Sequence, residues 1–139
     1  MSLLHLENLV KAGQLKSEPY NEQEYSGLIR FGLARLEDAF KADLSQESRF
    51  ILAYNAAHSL SLAALRWHGY RATNRYVVFQ VLPHTLGVGS EVWRVLDLCH
   101  NRRNLAEYEG HLEIDEQLLQ ELVTAAKLLF DRVSKNFKG

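Results

Sequence analysis

The sequence predicts an all-α protein, an antiparallel four-helix up-down bundle with an additional short helix. Three observations carry that expectation. Apolar residues recur every three or four positions through four long stretches. Capping residues precede several of those stretches, and glycines follow two of them. The two prolines, Pro19 and Pro83, interrupt none of them. At 139 residues the chain has the length of one domain with its own core. It divides into an N-terminal short helix and linker over 1–20 and a helical bundle over 21–139.

Leu3 to Lys11 reads as a short amphipathic helix ended near Gly13, and Lys16 to Tyr20 as a linker. The first long helix starts at Asn21, whose side chain can cap, with Glu24 completing a capping box. Its stripe is Tyr25, Leu28, Ile29, Leu33, Leu36 and Phe40, and Gly27 and Gly32 are expected to let another helix approach closely. The second long helix runs from near Ser45 to just before Gly69, a suitable C′ residue. It is apolar nearly all round, which places it in the middle of the bundle, with His58 as a hydrogen-bonded core histidine. A short helix follows from about Asn74 to Leu82, then a loop over Pro83 to Ser90. The next helix runs from Glu91 to about Tyr108, with Ser90 as N-cap and Gly110 as its stop. Asp115 caps the last helix, whose stripe is Leu118, Leu122, Ala125, Leu129 and Val133.

Composition removes several classes of function. No apolar run reaches the length of a membrane span, and the start of the chain lacks the pattern of a signal peptide. The expectation is a cytoplasmic protein with no membrane partner. The single cysteine, Cys99, lies on an apolar stripe and reads as a packed thiol. No ExxH, HExxH or cysteine pair is present, so no metal is expected; the phosphate-binding and nucleophile motifs are absent too, and no cofactor is expected.

Charge is distributed unevenly. Between Arg49 and Arg103 there are seven basic residues, all arginine, against two acidic ones. Arginine suits bidentate recognition of phosphate. Arg66, Arg71, Arg75, Arg102 and Arg103 are therefore candidates for binding RNA, a nucleotide or another anion, and a small-ligand groove near Arg66, Arg71 and Arg75 is one form of this. The alternative is that these arginines pair with acids of the flanking helices. Arg103 stands where the stripe Val92, Leu96, Cys99 asks for a hydrophobe, so it needs a partner such as Glu107 or a wet cleft.

The order of Ala53-Tyr54-Asn55-Ala56-Ala57-His58 in the second long helix and Arg103-Asn104-Leu105-Ala106-Glu107-Tyr108 closing the next resembles the HEPN (higher eukaryotes and prokaryotes nucleotide-binding) superfamily, over about residues 21 to 137. The resemblance implies a bundle that forms a homodimer with a positively charged cleft between protomers. It also implies RNA chemistry, since many members are metal-independent ribonucleases, toxins of toxin–antitoxin pairs or partners of a nucleotidyltransferase. Their signature is an arginine, a polar residue and, four to six residues later, a histidine. Arg103 and Asn104 match its first two positions, and Tyr108 stands where the histidine is expected.

In the catalytic reading Arg103 clamps phosphate, Asn104 orients it, and His111 or His100 moves the proton. Tyr108 then bonds phosphate or stacks on a base; otherwise it is a core aromatic at a helix end. The other reading is a non-catalytic dimeric module that binds a nucleotidyltransferase or another protein.

Overall fold

The computed structural model describes residues 2–135. Among them are seven helices and one two-stranded sheet: α1 (Ser2–Lys11), β1 (Leu15–Ser17), α2 (Glu22–Ala39), α3 (Gln46–Trp67), β2 (Tyr70–Ala72), α4 (Arg75–Gln80), α5 (Leu82–Thr85), α6 (Ser90–Glu109) and α7 (Glu116–Ser134). The end of the expected domain, 136–139, lies outside the described residues. The chain is mostly helical, and no helix among the described residues is long and apolar enough to cross a membrane.

Local chemistry sets the helix ends. Asn21, Ser45 and Asp115 each accept a hydrogen bond from the backbone N–H three residues on, filling an orphan donor of α2, α3 and α7. Asn74 does the same for α4. Gly69, at φ +88°, and Gly110, at φ +69°, take left-handed backbone after α3 and α6. Ser90 is not the cap of α6: the helix takes Gly89 as its N-cap, in extended backbone, and Ser90 becomes its first residue. The expected loop after Leu82 is shorter than predicted, because Pro83 enters the first turn of α5, where its missing N–H costs no hydrogen bond.

The core forms around α3, whose Phe50, Ala53, Tyr54, Ala57, Leu60 and Ala64 are buried. α2 packs on it through Tyr25, Ile29 and Leu36, and α7 through Leu119, Leu122, Ala126 and Leu129. Gly32 permits the α2–α3 approach: a Cβ there would lie 2.7 Å from Leu60. At Gly27 the nearest such atom is 4.0 Å away, so that glycine serves no close contact. Phe40 ends the predicted α2 stripe in solvent, at 55% exposed, because the helix stops at Ala39. Tyr25 ties α2 to α7 by donating its hydroxyl to the Val133 carbonyl at 2.8 Å. Cys99 is buried, and burial pushes its thiol up to about 12, as suits a packed group.

The predicted linker is instead structured. Residues 15–17 pair antiparallel with 70–72, Lys16 facing Arg71. Leu6 and Leu15 join Leu65, Tyr70, Val77 and Val81 in a second apolar cluster, which packs α1 and β1 onto the end of α3. A strand of three residues is too short for alternation to announce it.

Candidate functional site

The arginines separate into two groups. Arg66 is 1% exposed and spends its guanidinium inside the protein. It donates to Glu24 at 2.7 Å, to the Glu18 carbonyl at 2.9 Å, to the Tyr70 carbonyl at 3.2 Å and to the Pro19 carbonyl. Arg71 donates twice to Glu18, at 2.7 and 3.0 Å, and also to Glu24. The Arg71 hydrogen bond holds the Glu18 carboxyl below its ordinary range. Burial pushes Glu24 the other way, but its bonds to Arg71 and Arg66 win and its pKa is lowered. The expected anion groove at Arg66 and Arg71 is therefore filled by the protein's own carboxylates. Arg102 is likewise engaged, donating to the Glu113 carboxylate at 2.8 Å and to the Glu113 carbonyl at 2.7 Å.

Arg75 and Arg103 are placed differently. They border a cluster of rings held by three helices: Tyr54 and His58 from α3, Tyr76 and Phe79 from α4, and His100 from α6. Tyr54 and His58 share a face because they are one helical turn apart. Arg103 lies over the Tyr54 ring, 5.1 Å from guanidinium carbon to centroid, a cation–π contact. It also pairs with Glu107 at 2.8 Å. Glu107 is 56% exposed, so the pair is weak, on the order of 0.5 kcal/mol, and an anion can displace it. Arg75 is exposed, and among the described residues no carboxylate lies within ion-pair distance of it.

A polar chain runs beneath these two cations. The Tyr54 hydroxyl and His100 Nδ1 are 3.1 Å apart, and His100 Nε2 lies 3.1 Å from the Asn104 amide. Both ring nitrogens of His100 are thus engaged, which fixes the ring and leaves neither free to take a substrate proton. Burial first, and then the Arg103 charge, lower the His100 pKa, so the ring is neutral at pH 7. Burial raises the Tyr54 pKa, against the opposing pull of Arg103 and Arg75.

His58 differs from His100. Its Nε2 is buried with no hydrogen-bond partner among the described residues. Burial, then the charges of Arg75 and Arg103, bring its pKa down to about 4. The expected hydrogen-bonded core histidine is instead a neutral imidazole with a free nitrogen. It lines a cavity together with Arg75 and the side chain of Asn55.

Arg103, Asn104 and His100 are thus brought together, and Tyr108 and His111 are not. Tyr108 is 87% exposed at the end of α6, so it is no core aromatic. His111 lies beyond Gly110, 3.8 Å from Glu113, the carboxylate that Arg102 uses. At about 100° per residue, Leu98 and Leu105, both exposed, point well away from Arg103 around α6. Sequence reasoning missed Tyr54, Arg75 and His58 as one constellation. The signal was present in part, as the one-turn spacing of Tyr54 and His58 beside an arginine at the start of a helix.

No family model matches the chain, and neither the curated proteins nor the solved structures yielded a match.

Proposed function

We propose that this is a HEPN-like helical protein whose four long helices form an antiparallel bundle and which binds the phosphodiester backbone of RNA between Arg75 and Arg103. One observation carries this reading: two arginines from different helices border one ring cluster, one with no carboxylate partner among the described residues and the other held by a weak, displaceable pair. The ring cluster sets the approach of both guanidiniums, and the Tyr54–His100–Asn104 chain stiffens it. Tyr76, 38% exposed, offers an aromatic surface beside it for a base to stack on.

Should the bound strand be cleaved, His58 is the imidazole of this cluster with a nitrogen free to move the proton of a 2′-hydroxyl attack. Arg103 would then stabilise the negative charge that builds up on the non-bridging phosphoryl oxygens as the 2′-oxygen bonds to phosphorus and the 5′-oxygen leaves, taking a proton from water. The test is RNA binding and cleavage in EDTA, with Arg103→Ala alongside. Two phosphate contacts predict a slope of log affinity against log salt of about −1.4 for a single strand, falling to about −0.7 in the variant. RNA binding of unchanged strength and salt slope in Arg103→Ala would refute the reading.

A specific observation also supports a homodimer. Leu98, Leu105 and Tyr108 form an exposed stripe on one side of α6. Packing between two-fold related copies would cover it, away from the Arg103 face. Light scattering at micromolar concentration tests this: Leu105→Glu is expected to yield a monomer, and a monomeric wild type would contradict it.

A further inference from the structure

We infer that the groove between α6 and α7 takes a basic amphipathic helix of a partner protein. Two hollows make up the groove. One, of about 440 Å³, lies between Val92 and Val95 of α6 and Thr124, Ala125 and Leu128 of α7. The other, of about 350 Å³, lies between Leu98 and Arg102 of α6 and Ile114 and Leu118. Gln117 and Glu121 line both, so the two hollows are continuous. Each helix walls the groove with one stripe, and the two stripes have the same spacing. They are Glu91, Val95, Leu98 and Arg102 on α6, and Gln117, Glu121, Thr124 and Leu128 on α7. Steps of four, three and four residues keep a stripe on one face for about three turns, or about 16 Å. The floor is apolar: Val92, Leu118 and Ala125 are buried there, and Val95, Ile114 and Leu128 are half-buried. An apolar trough of this length matches one face of a helix of equal length, whose side chains at i, i+4 and i+7 enter it.

The rim sets the charge of the occupant. Between Asn104 and Ala126 the chain has six acidic residues and no lysine or arginine. The one cation of the lining, Arg102, is neutralised by the Glu113 carboxylate at 2.8 Å. Glu91 and Glu121, one on each wall, are exposed, and among the described residues no cation lies within ion-pair distance of either. The uncompensated charge of the groove is therefore negative. Lysines and arginines beside an apolar face would meet it, whereas an acidic helix or a phosphate backbone is repelled. Of the stripe assigned above to the homodimer, only Leu98 lines the groove, and Thr124 and Leu128 stand on the other helix. The groove therefore does not depend on that dimer.

The experiment is fluorescence anisotropy of labelled synthetic peptides titrated with the full chain. The first peptide, about fifteen residues long so that a helix can form, has leucines on one helical face and lysines beside them. The second replaces each lysine by glutamate. The third keeps the composition of the first and scatters its leucines around the helix. The first is expected to bind about tenfold or more tightly than either of the others, and more weakly as salt rises. Thr124→Arg, at an exposed position in the trough, should remove binding of the first peptide. Glu121→Lys, also at an exposed position, should erase the preference for lysine over glutamate. Circular dichroism verifies that both variants are folded. No binding by the first peptide, equal binding of all three, or binding that both substitutions leave unchanged would overturn the proposal. A wild-type dimer that Thr124→Arg turns into a monomer in light scattering would overturn it as well, since a second copy of the chain would then fill the groove.

Discussion

Arg66 and Arg71 at one end of α3, and Arg75 and Arg103 at its flank, are the same side chain put to opposite uses. The first two meet Glu18 and Glu24, carboxylates brought over by β1 and the first turn of α2, and their charge is neutralised inside the fold. Of the second two, Arg103 lies over the Tyr54 ring and pairs weakly with Glu107, and Arg75 has no carboxylate within ion-pair distance among the described residues. An arginine is available to a ligand only where the fold has left it without a better partner. Sequence neighbours such as Arg71 and Arg75 can therefore differ completely in role.

The comparison can be broken by mutation. The largest effect belongs to Arg66→Ala, which takes from Glu24 one of its two arginine partners and from three backbone carbonyls their guanidinium donor. It should lower the unfolding free energy by about 3–5 kcal/mol in urea titration. Unchanged stability would mean that the network holds nothing together. At the other extreme, Arg75→Ala should change stability by no more than about 0.5 kcal/mol while removing anion binding.

Acid separates the two regions as well. His58 has a folded pKa of about 4 against an ordinary 6.5, so the unfolded chain binds the extra proton between those values. Its contribution is fully present above pH 6.5 and is lost as pH falls toward 4. Glu18 and Glu24 have pKa values lowered from 4.5, so the stability they lend is present above that pH and lost as pH falls through their folded values. Thermal melts should thus show an early loss between pH 6.5 and 4 that His58→Gln reduces, and a later one below pH 4.5 that Glu24→Gln reduces. The same pH profile in wild type and His58→Gln would contradict the buried neutral imidazole. The smallest expected effect is Tyr108→Ala, which should leave the melting temperature unchanged, since the ring is 87% exposed.

Much of the fold was legible because caps and apolar periods are local. Asn21, Ser45, Gly69, Gly110 and Asp115 act as the sequence suggests. The paired strands at 15–17 and 70–72 were not legible, since three residues carry no period and their partners are distant in the chain. The fate of each arginine was hidden for the same reason: whether Glu18 reaches Arg71 depends on the β1–β2 pairing. Around the candidate site, Arg103, Asn104 and His100 could be read from one helix. Tyr54, His58 and Arg75 needed the packing of α3 and α4.

The most direct test of the division between the two arginine groups is fluorescence anisotropy of a labelled single-stranded RNA at low salt, with wild type, Arg75→Ala and Arg71→Ala compared after folding is verified. Arg75→Ala should lose about tenfold or more in affinity, and folded Arg71→Ala should bind as the wild type does. An Arg75→Ala variant that binds RNA like the wild type, or an Arg71→Ala variant that loses as much, would contradict the account.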